Sequence, residues 1–379
     1  MPKAIETIGN LVDNTISRGI EKYYEAPFLE GEPEEKVWYK ILLPDGLTGD
    51  GTEYYIYIKK GKLNNLCIFF SGGGVAWNEY TAARPTTGGA MAAGLPNYYW
   101  DNLRPITQLM NINVGITENN TEKNPFDEWN FLIVTYATGD FHVGNNEFYY
   151  KDENEYEKIL NFHGFKNFQA AMEKGTEFFK SPEKLLIAGE SAGAFAVPAL
   201  TRYILRDYYS ECSDITLLSD SALMLYKGWK NTAKNVWKAS DELCSTLHSY
   251  NICADWYESL YAEFGDRLKY LYAGSPRDYL LSAYYNDVLT HTYKSTTAIQ
   301  EHYFMRFKQM LKRLKKINPN FGFFIYKWMS LQMPFGGTEH TSVRHRSFYM
   351  HTSCGLSMAE WLNDAVNGNV YDANLDYVK

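Results

Sequence analysis

The chain has 379 residues, of which 45% are hydrophobic and 22% are charged. This is ordinary globular usage, which excludes intrinsic disorder and fibrous repeats, and a chain of this length can bury a large core without disulfides or metal ions. Lysine and arginine number 37 against 45 acidic residues, so the formal net charge is −8. Nucleic acids and anionic membranes bind to clustered cations, and we therefore expect neither as a partner.

The start of the chain and its cysteines indicate the compartment. The N-terminal run MPKAIETIGN lacks the basic and then apolar segments of a secretory leader, and no window approaches the roughly 18 to 20 apolar residues of a membrane span. The five cysteines are scattered and show no spacing of a zinc site, so no metal is expected. We expect a reduced, cytoplasmic setting, although a chain trimmed of its leader would look the same.

The first half of the chain predicts a mostly parallel α/β sheet. A helical lead-in over about thirty residues is followed by two predicted strands, at 37–43 and 53–59. Four runs that are continuously apolar are typical of strands covered on both faces: 66–70, 131–136, 185–188 and 215–218. A predicted helix at 165–179 precedes the third run, and strands alternating with helices indicate right-handed βαβ units.

The second half predicts further helices and strands around the same sheet. Aromatic and apolar residues recur at helical spacing over 227–278, which we interpret as a helical cap inserted in the domain. Beyond it the pattern predicts a strand at 279–285, a helix at 297–316 and a strand at 321–328. We therefore expect one domain over 1–379 that contains the cap.

Residues 189–193 form a Gly-x-Ser-x-Gly motif directly after an apolar run. A serine on a sharp strand-to-helix turn needs very small neighbours, and Gly189, Ala192 and Gly193 meet that need. The strained turn lifts the hydroxyl above the sheet, and the following helix N-terminus favours developing negative charge. Ser191 is the predicted nucleophile.

Three consecutive glycines, 72–74, follow the strand predicted at 66–70. Without Cβ atoms the backbone can aim N–H groups at an oxyanion, and we assign this role to Gly73 or Gly74 together with Ala192. The lysine and Ser/Thr of a phosphate-binding Walker loop are absent, so no nucleotide cofactor is expected. Ser71 stands before the glycines, where many esterases place a histidine.

Three segments resemble the family of pectin acetylesterases and Notum-type carboxylesterases: 72–77, 136–144 and 189–193. The block at 136–144 is similar to the family signature Tyr-Cys-Ser-Gly-Asp-x-His-x-Gly, with Ala137 in place of the usual cysteine. The resemblance implies an α/β-hydrolase fold and hydrolysis of carboxylic esters, typically acetyl groups on pectin. This chain departs from the disulfide-rich plant and animal members by its few cysteines.

A serine nucleophile of this fold needs an acid and then a histidine later in the chain. Asp287 follows the strand predicted at 279–285, and His340 lies in a glycine-containing loop after the strand predicted at 321–328. Both positions match the placement that the family resemblance implies. His340 would accept the Ser191 proton, and Asp287 would orient the imidazole.

Other residues remain alternatives for these roles. Asp220 also ends a predicted strand and is the rival acid, with helix capping as its structural alternative. His345 and His351 are late enough in the chain to be the base.

Four residues near these motifs are candidates for contact with substrate. Trp77 and Asn78 flank the glycine loop, where a sugar could stack on the indole or bond to the amide, although a tryptophan here is as often packed in the core. Asp140 and His142 follow the strand predicted at 131–136, at the sheet edge where ligands bind in α/β folds. A capped turn with a satisfied histidine is the equal alternative for that pair.

Together these motifs predict a serine carboxylesterase that removes a short acyl group, such as acetyl, from an alcohol. The partner would be an acylated carbohydrate or a small ester, and no cofactor is required. Two alternatives remain: a lipid-type or amide hydrolase, and a catalytically inactive hydrolase fold that only binds. The sequence leaves the oligomeric state open.

Overall fold

The computed structural model describes residues 25–92, 94–119, 121–152, 154–331 and 336–379, so the predicted helical lead-in lies largely outside the described residues. The strands are β1 (Trp38–Leu47), β2 (Glu53–Lys59), β3 (Asn65–Phe70), β4 (Asn130–Val134), β5 (Asn146–Lys151), β6 (Glu157–Phe162), β7 (Lys184–Glu190), β8 (Asp214–Asp220), β9 (Leu268–Gly274) and β10 (Gly322–Ile325). The α-helices are α1 (Glu79–Ala82), α2 (Gly88–Ala92), α3 (Pro105–Asn111), α4 (Gly164–Phe178), α5 (Ala192–Tyr203), α6 (Trp229–Asn231), α7 (Asp241–Ser245), α8 (Ile252–Phe264), α9 (Tyr279–Thr290), α10 (Thr297–Ile317) and α11 (Met358–Val366).

Eight of these strands form one sheet in the order β1-β2-β4-β3-β7-β8-β9-β10. The pairs β1–β2 and β2–β4 are antiparallel, and every other neighbouring pair is parallel. Strands β5 and β6 form a separate antiparallel hairpin. The predicted α/β class with a mostly parallel sheet is confirmed.

The central strands are apolar along their whole length because helices cover both faces of the sheet. Along β3, Leu66, Ile68 and Phe70 belong to the core on the side of α4, α5 and α8. Cys67 and Phe69 alternate with them and belong to the core on the opposite side, which contains α11. Since all of β3 is buried, its C-terminal end carries the glycine loop to a fixed place at the sheet edge.

The prediction of a strand at 279–285 is wrong, because this segment forms the first half of helix α9. Its tyrosines favoured a strand, but the buried side chains of Leu281, Tyr284 and Tyr285 follow helical spacing. Asp278 begins the helix by accepting hydrogen bonds from the amides of Leu280 and Leu281, at 2.9 and 2.8 Å.

The predicted cap at 227–278 is not a purely helical insertion. Its last part is β9, a central strand between β8 and β10, so the helices before it form the crossover from β8 to β9. Helix α8 of this crossover packs on α5. The start of the crossover covers the glycine loop, because the indole N–H of Trp237 donates to the carbonyl of Ala76 at 2.7 Å.

The structure also describes the state of the cysteines and the character of the helices. None of the five cysteines is in a disulfide, and Cys67 is fully buried. In the part of the chain that the structure describes, no helix combines the length and apolar character needed to cross a bilayer.

Candidate active site

Ser191 lies on a sharp turn between β7 and α5, with φ 51° and ψ −123°. A Cβ at position 189 would lie 2.3 Å from the carbonyl oxygen of Gly193, and one at position 193 would lie 2.0 Å from that of Phe70. Glycine at both positions is therefore a steric requirement of the turn. A non-glycine residue held at positive φ between them marks stored strain, which is typical of a functional site.

The surroundings of Ser191 favour negative charge at the hydroxyl. Its amide donates to the carbonyl of Asp220 at 2.9 Å, which fixes the turn against β8. Ala192 is the first residue of α5, where an amide hydrogen has no partner within the helix. The positive end of the helix dipole adds to this effect.

The glycine loop after β3 lies directly against the turn. A Cβ at position 72 would lie 2.7 Å from the Cβ of Ser191, and one at Gly74, where φ is +83°, would lie 1.9 Å from the carbonyl oxygen of Tyr98. The amide of Val75 donates to that carbonyl at 2.7 Å. Within the described ranges, by contrast, no acceptor takes the amide hydrogens of Gly73 or Gly74. These amides are available for an oxyanion, as the sequence predicts.

His340 is held by a carboxylate other than the predicted one. Its Nδ1 lies 2.7 Å from Oδ2 of Asp278, which is fully buried, while the other oxygen of Asp278 caps α9. The opposite ring nitrogen, Nε2, is buried and has no hydrogen-bond partner among the described residues. An imidazole oriented from one side and free on the other is what a general base requires.

The structure does not bring Asp287 to His340, so the predicted acid needs correction. Asp287 lies in the last turn of α9, where its carboxylate accepts a hydrogen bond from the hydroxyl of Tyr98 at 3.0 Å. Asp278 lies at the opposite end of the same helix. The signal that could have identified it is an aspartate at the N-cap position directly before a helical pattern, four residues after a buried strand.

Asp220, the rival acid, anchors the histidine loop through backbone groups. One of its oxygens accepts the amides of Ser342 and Val343 at 2.6 and 2.8 Å, and the other accepts the hydroxyl of Tyr326 at 2.7 Å. The carboxylate therefore fixes the segment that carries His340 to the end of β8. The alternative bases, His345 and His351, are exposed at the surface.

The charge around His340 determines its protonation. Burial lowers the pKa of an imidazole, but the negative charge of Asp278, with that of Asp220 and Glu190, outweighs burial and raises the pKa of His340 above its ordinary value. Because the base must be neutral, activity should decline as the pH falls through this raised pKa.

The predicted substrate contacts Trp77 and Asn78 have structural roles instead. Trp77 is 3% exposed and packs against Tyr98, with ring centroids 5.2 Å apart. The side chain of Asn78 caps α1 by accepting from the amide of Thr81 at 2.9 Å. The indole is therefore packed in the core and the amide is committed to the helix.

Asp140 and His142 are buried, at 0% and 1% exposure, which favours the alternative of a capped turn over a contact with substrate. Oδ1 of Asp140 accepts from Thr138 at 2.7 Å, and Oδ2 accepts the amide of Gly164 at 2.8 Å. Burial lowers the pKa of His142 to about 4, so the ring is neutral and can donate from Nε2 to the carbonyl of Ser71, 3.0 Å away. His142 thus holds the residue before the glycine loop, and Asp140 holds the turn that carries His142 by accepting its amide at 3.1 Å.

The fold and the site together define an α/β-hydrolase that cleaves carboxylic esters. Three features indicate this class: the order of the strands in the sheet, the serine turn after β7 and the glycine loop after β3. The chain belongs to the pectinacetylesterase family, whose model matches residues 45–252, more than half of the chain. The match contains Ser191 and the glycine loop and ends before Asp278 and His340.

A solved structure shares the fold across almost the whole length. The chain is similar to the Wnt deacylase Notum from Drosophila, with a TM-score of 0.59 and 14% sequence identity over 88% of this chain and 95% of that one. The comparison with curated proteins found no match.

Proposed function

We propose that the protein is a serine esterase that removes acetyl or a similarly short acyl group from a sugar hydroxyl. The observation that carries this proposal is the His340–Asp278 pair. Nε2 of His340 has no hydrogen-bond partner among the described residues, and its loop is anchored to β8, the strand beside the one that leads into Ser191. Membership in the pectinacetylesterase family supports the acetyl ester as the bond that is cleaved.

In acylation, neutral His340 would take the proton of Ser191 as the hydroxyl oxygen attacks the ester carbonyl. The amides of Gly73 or Gly74 and of Ala192 would donate to the oxyanion that forms. Asp278 would hold the tautomer with the proton on Nδ1 and stabilise the imidazolium. The imidazolium then protonates the departing alcohol, which leaves an acetylated serine.

In deacylation, a water molecule replaces the alcohol. His340 would take a proton from this water as it attacks the acetylated serine, and would return the proton to Ser191 as acetate leaves. The chain's own side chains and amides provide every step.

The packing beside the glycine loop supports a short acyl group. Trp77 directly follows the loop, and its ring centroid lies 5.2 Å from that of Tyr98 and 6.1 Å from that of Tyr284. Tyr293 closes the cluster at 5.7 Å from Tyr98. Rings packed at these distances leave little room between them, and we therefore expect this side of the loop to admit only a short acyl group.

A series of p-nitrophenyl esters tests the acyl length. We expect kcat/KM to be highest for acetate and to fall by about tenfold or more by octanoate, since a packed aromatic wall rejects added methylenes. Rates that increase towards palmitoleate would contradict the short acyl group and favour a lipid-type esterase.

A cleft of about 860 Å³, between the segment that follows α2 and the β5–β6 hairpin, supports a sugar as the alcohol. Tyr99 lines it and is bridged through its backbone to Gly74 of the glycine loop. Tyr150 and Tyr156 of the β5–β6 hairpin provide further aromatic surface. Tyrosine rings next to polar groups suit the alternating apolar faces and hydroxyls of sugars.

The charges in this cleft favour neutral sugar units over uronates. Its charged residues are three acids and two bases: Asp50, Asp101, Asp152, Arg84 and Lys158. Burial, together with the charge of Asp50, raises the pKa of Asp101 to about 6, so this acid is largely ionised at neutral pH. Burial opposes ionisation of Asp50 as well, but hydrogen bonds from Thr52, Asn102 and Thr48 lower its pKa below the ordinary value. Carboxylate groups on a bound glycan would therefore be repelled.

The variant Tyr156→Ala tests the cleft. We expect KM for an acetylated neutral oligosaccharide to rise by about 3- to 10-fold, the usual value of one aromatic contact, with p-nitrophenyl acetate turnover unchanged. Tyr149→Ala is the matched control, because Tyr149 is equally exposed, at 67%, on the same hairpin but does not line the cleft. Equal effects of the two variants would contradict a sugar site there.

A further inference from the structure

A buried ion pair joins the residue before the nucleophile to the loop of the histidine. Glu190 precedes Ser191, and Arg344 follows His340 by four positions. Nε of Arg344 donates to Oε1 of Glu190 at 2.8 Å, and Nη2 contacts the same oxygen. The two side chains are only 2% and 8% exposed.

The other arm of the guanidinium reaches the start of the glycine loop. Nη1 of Arg344 lies 2.8 Å from Oδ1 of Asn111 and 3.2 Å from Oγ of Ser71. The Ser71 hydroxyl itself donates to Asn111 at 2.5 Å. The guanidinium lies over the ring of Phe69, 4.8 Å from its centroid. This network explains the serine that stands where many esterases have histidine.

We propose that Arg344 is a positioning residue that fixes the nucleophile turn, the glycine loop and the histidine loop relative to one another through Glu190 and Ser71. The proposal rests on the proposed function of Ser191 and His340. It assigns to Glu190 and Arg344 a role in catalytic geometry and no contact with substrate.

The energetics of burial favour this role over a purely stabilising one. A buried ion pair often contributes no more stability than apolar side chains of the same volume would. A planar guanidinium can instead fix several acceptors in one geometry, which lysine cannot do. The three segments joined here come from distant parts of the sequence, and a displacement of about 1 Å between them can cost about 100-fold in rate.

The first test is Arg344→Lys, which keeps the positive charge but removes the planar guanidinium group with its several N–H donors. We expect kcat for p-nitrophenyl acetate to fall by about 10- to 100-fold with KM changed less than about threefold, because alignment is lost and binding is not. Rates are expressed per serine that reacts with a fluorophosphonate probe, so that unfolded protein does not count.

The matched control is Arg202→Lys. Arg202 is another buried arginine, in the last turn of α5, where it bonds to Glu242 and Ser259 at 3.2 and 2.8 Å. We expect this variant to lower the melting temperature while the rate per reactive serine stays at the wild-type value. An equal loss of rate in both variants would reduce the role of Arg344 to general stability.

The second test, Glu190→Gln, remains informative if Arg344→Lys fails to fold. His340 faces the carboxylates of Asp278, Asp220 and Glu190, which together raise its pKa, and Arg344 is the cation bonded to Glu190. Removing one negative charge should move the acid limb of the kcat/KM profile to lower pH and reduce kcat. Because this shift follows from the charge alone, the positioning role is tested by kcat at a pH above the acid limb, where a merely structural role predicts the wild-type value per reactive serine.

These outcomes separate the inference from the proposed function. Wild-type kcat per reactive serine above the acid limb, in both Arg344→Lys and Glu190→Gln, would overturn the positioning role alone. An active Ser191→Ala variant would instead overturn the proposed function.

Discussion

Replacing Ser191 with alanine is expected to reduce hydrolysis of p-nitrophenyl acetate by at least about three orders of magnitude, because no other group would form the acyl-enzyme. The fold should persist, since alanine keeps the Cβ that already fits against Gly72. The measurement is kcat on purified protein, with the melting temperature as a check of folding.

The control for this variant is Ser245→Ala. Ser245 is exposed on α7 and donates only to the carbonyl of Glu242, at 2.9 Å. It should retain full activity and full labelling by a fluorophosphonate, whereas Ser191→Ala should lose both. A wild-type protein that the probe does not label would favour a hydrolase fold used only for binding.

Changing Asp278 to asparagine is expected to reduce kcat by about 10³- to 10⁴-fold. The amide can no longer stabilise the imidazolium, and it favours the wrong tautomer of His340. Asparagine is as good an N-cap as aspartate, so α9 should still begin at Tyr279 and the fold should persist. The measurement is kcat for p-nitrophenyl acetate at a pH where wild-type activity no longer changes.

Asp287→Asn is the matched control, because it makes the same chemical change at the other end of α9. Among the described residues, its carboxylate accepts a hydrogen bond from Tyr98 alone, which an asparagine oxygen can also accept. We expect its kcat to stay within about threefold of wild type. A greater loss at position 287 than at position 278 would contradict the assignment of the acid.

Much of the fold follows directly from local patterns in the sequence. The strand predicted at 53–59 matches Glu53–Lys59, and the apolar runs at 66–70 and 185–188 lie within β3 and β7. Continuous apolar character is enough to locate such strands, because both faces of the sheet are covered. The turn at Ser191 was also predictable, since few sequences provide glycine at both positions that a Cβ would block.

The acid was not predictable in the same way, because its role depends on a contact between distant segments. The amide of Tyr279 donates to the carbonyl of Thr338 at 3.2 Å, which places the residues before His340 alongside Asp278. No local pattern encodes that pairing, and the tyrosines of α9 favoured a strand. The prediction therefore fell on Asp287, which follows the run interpreted as a strand and matches the placement that the family resemblance implies, whereas Asp278 precedes that run.

The burial of Asp140 and His142 could not be predicted from the sequence either. Asp140 and His142 lie at the sheet edge, where ligands bind, but both carboxylate oxygens of Asp140 and Nε2 of His142 form hydrogen bonds within the protein core. An aspartate and a histidine at this position in the sequence are compatible both with a contact to a ligand and with hydrogen bonds inside the protein. Only the depth of the side chains distinguishes the two.

One carboxylate links secondary structure to chemistry in this enzyme. Because Asp278 both begins α9 and orients His340, the imidazole keeps its alignment only while the first turn of that helix stays wound. Unwinding of this one helical turn would therefore abolish the esterase activity while the sheet remained folded. Heat inactivation of this esterase should accordingly begin at the start of α9, ahead of the loss of the core.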